Sequence, residues 1–223
     1  MNQVTKLALG IVAAGFAGSA SAVVVSGGSN VLLSDLIDNS GTVVVGDKMF
    51  SNFTYVATGD MPDASAVSVV DLIDGGNFGI QFQGDFMDLA GDGASDALIT
   101  FDVTVLDPNF EISGVMLAAD LEIVNGLGGG SFGGITESFL PGNASDTMSV
   151  FVGTAGEQLT DSVVFAQNVT TLSVQKDILL FAQDGDAEAV MVSSVDQTFS
   201  QVPEPGSLAL LGLGALAMVR RRR

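Results

Sequence analysis

The chain has 223 residues, with 26 Asp and Glu against 7 Lys and Arg, and it contains no Cys, His or Trp. The lack of Cys and His excludes thiol and imidazole nucleophiles, histidine general bases and the usual zinc ligands. Because the lack of Cys also excludes disulfides, an exported form of the chain has to be held together by a buried core.

The negative charge is concentrated in the body of the chain, residues 23–202. Only Glu204 among the acidic residues, and only Lys6 and Arg220–Arg223 among the basic residues, lie outside this body. That leaves 25 acids against two bases, Lys48 and Lys176, and a formal charge of −23. A surface of this sign repels phosphate backbones, so we expect no nucleic-acid partner.

The first 22 residues, MNQVTKLALGIVAAGFAGSASA, have the three regions of a secretory signal peptide. Lys6 makes the start weakly positive, residues 7–17 are apolar, and Ala20 and Ala22 form a small-x-small cleavage site. As a helix the apolar stretch would rise only ~16 Å, short of the ~30 Å hydrocarbon core of a bilayer. The sequence therefore predicts export with cleavage after Ala22, rather than a permanent N-terminal anchor.

Period-two alternation in the body predicts half-buried antiparallel strands. In LITFDVTV one face collects the apolar residues Ile99, Phe101, Val103 and Val105. The same pattern predicts inward-facing residues in FEISGVM (Phe110, Ile112, Met116) and in MSVFV (Met148, Val150, Val152). In LTDSVVF, Asp161 interrupts the apolar series, which indicates a shorter strand or one at a sheet edge.

Turn sequences rich in Gly, Asp, Asn and Pro separate these runs at short intervals, which favours a sandwich or jelly roll over a parallel sheet with helices. We predict an all-β fold: a single jelly-roll-like β-sandwich of about ten strands over residues 23–201. Leu32–Ile37 fits a helical turn or a short strand equally well. The glycine-rich segment 126–134 lacks the strand, lysine and helix of a phosphate-binding loop, so we predict a flexible hairpin connection there.

The tail, residues 202–223, reads VPEPGSLALLGLGALAMVRRRR. Pro203 and Pro205 block a helix upstream, and the apolar stretch 208–219 would rise only ~18 Å as a helix, again short of ~30 Å. The positive-inside bias would keep the terminal arginines cytoplasmic. These arginines are Arg220, Arg221, Arg222 and Arg223. We therefore predict a short transmembrane helix that is held in one orientation.

The order Val202, Pro203, Glu204, Pro205, then a Gly/Ala/Leu-rich stretch, then an arginine cluster, resembles the PEP-CTERM sorting signal of exported proteins in Gram-negative bacteria. The resemblance implies passage through the secretion machinery, transient inner-membrane anchoring and recognition by exosortase, an inner-membrane protease, near the Pro-Glu-Pro segment. It further implies release to the cell surface or extracellular matrix, often in bacteria that make exopolysaccharide. On this resemblance the tail residues are determinants for processing and have no catalytic role.

Calcium is the one cofactor that the acidic turns suggest, because Ca²⁺ prefers several flexible oxygen ligands. One loop, DFMDLAGDGASD, and a second, DGDAE, supply the candidate ligands Asp85, Asp88, Asp92, Asp96, Asp184, Asp186 and Glu188. Neither loop matches the spacing of an EF-hand. Solvated turn acids are the competing interpretation.

No pair of carboxylates lies in a recognisable catalytic context, so we expect no enzyme. The sequence favours a structural component of the envelope or matrix. The alternative is a secreted binding module that depends on carbohydrate or calcium. A single Tyr and no Trp argue against an aromatic sugar platform, since the 14 Phe residues mostly occupy positions expected in a core.

Overall fold

The computed structural model describes residues 30–91, 93–126, 129–140, 147–204 and 206. The predicted signal peptide with Ala20 and Ala22, the predicted C-terminal helix with the arginines at 220–223, and Asp92 and Pro205 lie outside these residues. What the sequence predicts for them therefore stays a prediction. Within the described part of the chain, no helix is both long and apolar enough to cross a membrane.

The described residues form thirteen strands, one short α-helix and one 3₁₀ helix (Ala64–Ala66), joined by turns and loops. The strands are β1 (Asn30–Leu32), β2 (Val43–Val45), β3 (Lys48–Thr58), β4 (Ser68–Asp74), β5 (Asn77–Leu89), β6 (Ser95–Val105), β7 (Phe110–Val124), β8 (Phe132–Leu140), β9 (Thr147–Gly153), β10 (Gly156–Gln158), β11 (Thr160–Val169), β12 (Thr171–Phe181) and β13 (Ala189–Pro203). The helix α1 spans Leu33–Asp38. The undecided segment Leu32–Ile37 therefore contains both the end of a strand and a helix.

Two antiparallel sheets form the fold. The six-stranded sheet has the order β1-β4-β5-β13-β7-β11, and the seven-stranded sheet has the order β10-β9-β8-β12-β6-β3-β2. The last strand, β13, therefore lies inside the six-stranded sheet between β5 and β7. The sheet is incomplete until the C-terminal end of the domain has paired.

The prediction of about ten strands corresponds to the strands of seven residues or more. The additional strands β1, β2 and β10 have three residues each, and all three lie at sheet edges. Short edge strands limit pairing with other chains, because they expose few free backbone groups. They also carry too few residues to give a periodic signal.

The core lies between the sheets and confirms the alternation predicted for β6. Ile99, Phe101 and Val103 are almost completely buried. Their strand contributes to a group of phenylalanine rings from both sheets: Phe50–Phe101, Phe50–Phe199 and Phe82–Phe101 have centroids 6.1, 5.7 and 5.7 Å apart. Such contacts stabilise a core beyond simple area burial.

The expectation for Met116 is wrong, because β7 contains a bulge. Ile112 is buried as predicted, but the register shifts where β7 faces Ser200 and Gln201 of β13. After the shift Val115 and Leu117 face the core, and Met116 is only half-buried. One extra residue reverses which side chains face inward, and a strict period of two cannot anticipate it.

Of the two alternatives that Asp161 left open, the edge position is confirmed, since β11 has ten residues and is the last strand of its sheet. The Asp161 carboxylate accepts a hydrogen bond of 2.9 Å from the Ser149 amide.

The hairpin predicted for residues 126–134 is wrong. This segment follows β7 of one sheet and precedes β8 of the other, so it crosses between the sheets.

Tyr55 offers an optical test of the packing, because it is the only Tyr and there is no Trp. Its hydroxyl donates to the Pro62 carbonyl at 2.8 Å, and burial, aided by the negative charge of Asp63, raises its pKa to about 12. The folded pKa lies above the unfolded value of 10.0. The contribution to stability is therefore complete below about pH 10 and is lost as the pH rises towards 12.

We expect ultraviolet absorbance to show phenolate formation with a midpoint well above pH 10 in the folded protein and near 10 in urea. The variant Tyr55→Phe is the control, because it should show no titration at all. A folded-state midpoint at 10 would contradict the buried position of this ring.

Candidate functional site

The predicted sorting motif begins inside the folded domain. Val202 and Pro203 are the final residues of β13 and pair with Glu111 and Phe110 of β7. The Glu204 amide then donates to the Asn109 carbonyl at 2.8 Å. Proline is tolerated at this strand end, where its missing amide proton breaks no interior ladder. No linker therefore separates the sheet from the motif.

A buried cluster centred on Lys176 attaches β13 to the opposite sheet. Lys176 of β12, Glu137 of β8 and Gln197 of β13 are all fully buried. The Lys176 Nζ donates to Glu137 Oε2 and, at 2.5 Å, to Gln197 Oε1. Gln197 Nε2 in turn donates to the Met116 carbonyl at 3.1 Å. The cluster therefore links two strands of one sheet to two strands of the other.

Burial and pairing act in opposite directions on the charges of this cluster. Burial raises the pKa of the Glu137 carboxyl, and the neighbouring Lys176 ammonium partly offsets this. Burial likewise lowers the pKa of the Lys176 ammonium, with Glu137 opposing the shift. Such a pair is costly to desolvate and very costly to break on one side only.

The second lysine of the domain also reaches β13. Lys48, at the start of β3, is fully buried and donates to Asp47 Oδ1 at 2.6 Å and to Gln201 Oε1. Its Nζ lies 5.9 Å from the centre of the Phe78 ring. Gln201 lies two residues before the end of β13, so this contact holds the end of the strand against the seven-stranded sheet.

Both basic residues between positions 30 and 204 are thus buried inside the domain. Lys48 and Lys176 have no exposed surface, and most of the acidic side chains lie at least partly in solvent. The surface of the described domain therefore presents carboxylates without any basic side chain between them. Such a surface repels polyanions and keeps the protein soluble.

The sequence carried a signal for the buried charges that the prediction did not use. Lys176 lies in phase with Leu172, Val174, Ile178 and Leu180, and Glu137 lies in phase with Ile135 and Phe139. All of these residues are buried. A lone basic residue at an apolar position of a strand therefore indicated an internal ammonium group.

Among the predicted calcium ligands, Asp88 has a structural role. It is fully buried, and its Oδ1 accepts from Ser95 Oγ at 2.6 Å while its Oδ2 accepts from the Ala182 amide at 2.6 Å. The carboxylate thereby connects β5, the start of β6 and the segment after β12.

Asp186 binds the glycine-rich segment of the chain. Its Oδ1 accepts from the Gly129 amide at 2.6 Å and its Oδ2 from the Ser131 amide at 3.1 Å. The glycine-rich segment thus does hold an anion, namely a carboxylate of the same chain. The sequence of neither segment predicted this contact, because Asp186 and Gly129 are far apart along the chain.

The remaining candidate ligands are dispersed over the domain. The two acidic loops do meet, since Ala90 donates to the Glu188 carbonyl at 3.2 Å and Asp184 approaches Gly91. Asp96 instead pairs with Asp177, and Asp85 is exposed on β5.

In the described part of the chain, no group of three or more acidic side chains is placed to hold a metal ion. Calcium binding stays a prediction, because Asp92 is not described.

The Lys176 cluster predicts a large effect on stability. Lys176→Met leaves Glu137 buried without its partner and should cost about 3–5 kcal/mol of unfolding free energy in urea titrations. The double variant Lys176→Met with Glu137→Leu removes both charges and should recover at least half of that loss. If the single variant loses less than about 1 kcal/mol, the cluster does not link the sheets as described.

The Asp96–Asp177 pair predicts that substituting Asp177 stabilises the protein by an amount that depends on pH. Burial first, and then the Asp96 carboxyl, raise the pKa of Asp177 above its ordinary 3.8. A raised folded pKa means that stability present at low pH is lost as the pH rises above 3.8. Asp177→Asn should therefore raise the melting temperature at pH 7, and the gain should shrink towards pH 3. A change in melting temperature that is the same at pH 3 and at pH 7 would contradict the raised pKa of Asp177.

Comparison with known proteins identifies a family motif in the tail and gives no family for the folded domain. Residues 201–223 match the model of the PEP-CTERM protein-sorting motif. No curated protein matches the chain. The match begins at Gln201, the residue that Lys48 binds, so the motif and β13 overlap.

The solved structures that this chain is similar to match it only at low TM-scores. The tailspike protein 4 enzymatically active domain of bacteriophage CBA120 is 14% identical, with a TM-score of 0.31 over 67% of this chain and 19% of that one. TmCBM61, solved with β-1,4-galactotriose, is 16% identical, with a TM-score of 0.31 over 67% and 88%. The xylan-binding module CBM15 is 16% identical, with a TM-score of 0.29 over 67% and 97%. Similarities this low do not indicate a ligand or an activity for this chain.

Proposed function

We propose that this chain, which carries a PEP-CTERM motif, is an exported structural protein of the cell envelope or extracellular matrix, processed by exosortase at its C-terminal tail. The observation that carries the proposal is the match of residues 201–223 to the sorting motif, placed where β13 ends. The acidic sandwich is then the cargo that sorting delivers.

The junction between sheet and motif limits where processing takes place. Residues up to Pro203 pair with β7, and the Glu204 amide is bonded to Asn109. A protease that needs an extended, accessible substrate would act on the C-terminal side of Glu204 without opening the sheet. We therefore propose that the domain folds before cleavage and leaves the membrane already folded.

Charge supports the proposed orientation during anchoring. The four arginines at the C-terminus would stay cytoplasmic under the positive-inside bias. The charged side chains that the described domain exposes are all acidic, so it has no electrostatic attraction to anionic headgroups. After cleavage the released protein would have no remaining basic surface to hold it at the membrane.

A structural role fits the internal use of the carboxylates better than an enzymatic one. Asp88 and Asp186 are occupied by hydrogen bonds to Ser95 and to backbone amides. We therefore propose no catalytic activity. The alternative prediction, a carbohydrate-binding module, is compatible with the same delivery, since a matrix protein that holds polysaccharide needs the same export.

The test is the intact mass of the protein recovered from the surface and medium of producing cells, with and without active exosortase. With the protease, we expect a species that begins at Val23 and ends near Pro205, without the arginines. Without it, the C-terminus through Arg223 should persist in the membrane fraction. Arg223 on released protein from cells with active exosortase would overturn the proposal.

A matched pair of variants separates motif recognition from folding. Glu204→Ala changes the motif and should reduce the cleaved fraction while the melting temperature stays unchanged. Glu111→Ala removes an acidic residue that pairs with Val202 but lies outside the motif, so cleavage should proceed normally. Equal processing of all three proteins would contradict recognition of Glu204.

A further inference from the structure

The outer face of the six-stranded sheet contains a small groove of about 190 Å³, which we call the Thr198 groove. It crosses β5, β13, β7 and β11. Its polar lining residues are Asn77, Ser162, Thr198 and Ser200, and Met116 and Val164 lie beside them. This face points away from the core.

Thr198 forms the floor of the groove and lacks a hydrogen-bond partner. Its flanking residues Gln197 and Phe199 face the core, so the Thr198 side chain points to the outer face. The residue is only 1% exposed, and its Oγ1 has no partner among the described residues. Because nearly all buried polar groups in native proteins are paired, an unpaired hydroxyl at the base of a groove indicates a place for a ligand atom.

Two glycines lie on the strands that flank β13 next to the groove. Gly79 pairs with Thr198, and Gly114 pairs with Ser200 and Val164. A Cβ at Gly79 would lie 1.9 Å from the Gln197 carbonyl oxygen, and one at Gly114 would lie 2.6 Å from the Val163 carbonyl oxygen. Neither position accepts a side chain while the strands stay in place, so both glycines are needed for the pairing that sets the groove-lining residues side by side.

The lining chemistry specifies the class of ligand. Hydroxyl and amide groups donate and accept hydrogen bonds, and no charged side chain lines the groove. Met116 and the 82% exposed Val164 add an apolar wall. A sugar ring matches this lining, since it combines hydroxyl edges with an apolar C–H face. A volume of about 190 Å³ lies below the ~300 Å³ at which drug-sized pockets begin, which limits the ligand to about one ring.

Charge then selects among sugars. Asp196 lies two residues before Thr198 on the same face of β13, where its Oδ1 accepts from Gln81 at 2.6 Å. The described surface has no basic side chain to pair with an acidic sugar. Uronates and sulfated or phosphorylated sugars would therefore be repelled, and neutral sugars would not.

We propose that the Thr198 groove binds one neutral sugar residue of a glycan, with Thr198 Oγ1 hydrogen-bonded to a sugar hydroxyl. This goes beyond sorting, and neither depends on the outcome of the other. Val164 packs on the apolar face of the ring, and Ser162 and Asn77 contact its polar edge.

The test uses the exported protein purified from producing cells and isothermal titration with neutral oligosaccharides. The neutral panel is cello-, xylo-, manno- and galacto-oligosaccharides, and oligogalacturonate is the charged counterpart. We expect at least one neutral oligosaccharide to bind and the uronate not to bind. Failure of the whole neutral panel, or binding of the uronate alone, would overturn the proposal.

Thr198→Val separates a ligand-binding hydroxyl from a packing defect. Removing an unpaired hydroxyl should raise the melting temperature of the free protein by about 2–4 °C, and it should weaken neutral-sugar binding at least tenfold. Thr160→Val, on exposed β11 outside the groove, is the matched control and should change neither value. Unchanged affinity in Thr198→Val would overturn the assignment, whatever the melting temperature.

A second variant blocks the groove from outside. Ser162 is exposed on the edge strand β11, so Ser162→Leu fills the groove without entering the core. Binding should be lost while the melting temperature stays within about 2 °C of the parent protein. Binding that survives in Ser162→Leu would place the sugar elsewhere.

Discussion

The architecture depends on two buried ammonium groups that hold one strand. Lys176 binds Gln197, and Lys48 binds Gln201, so the only basic residues of the described domain both hold β13 against the opposite sheet. Each lysine also has an acidic partner, Glu137 or Asp47. Because a buried charge without a partner is strongly destabilising, the contacts of the C-terminal half of this strand are specified narrowly.

Strand β13 connects folding to the sorting motif. It is the last of the described strands along the chain and lies between β5 and β7, so neither of those strands has its full set of partners until residues 189–203 have paired. The same strand continues into the PEP-CTERM motif. The end of the strand that completes the six-stranded sheet therefore also contains the first residues of the motif.

Charged groups are distributed differently over the interior of the domain, its surface and the Thr198 groove. Both lysines lie inside, most carboxylates lie outside with Asp88 and Glu137 as buried exceptions, and the Thr198 groove is lined by neutral groups. Repulsion among surface carboxylates keeps such proteins apart in solution. An uncharged groove on this background admits neutral ligands and disfavours anionic ones, so solubility and selectivity follow from the same composition.

The sequence by itself determined the class of fold, the inward faces of strands such as β6 and the sorting motif, because each depends on neighbouring residues. For β11 it left a shorter strand and an edge strand as alternatives. Period two along a strand and an ordered tail of proline, apolar and arginine residues are local patterns. The tertiary structure decided the orientation of Met116, the use of Asp186 to bind the glycine-rich segment, the partners of Lys48 and Lys176, and the groove around Thr198. These features arise from a bulge, or from contacts between residues far apart in sequence, and therefore depend on the register and stacking of the two sheets.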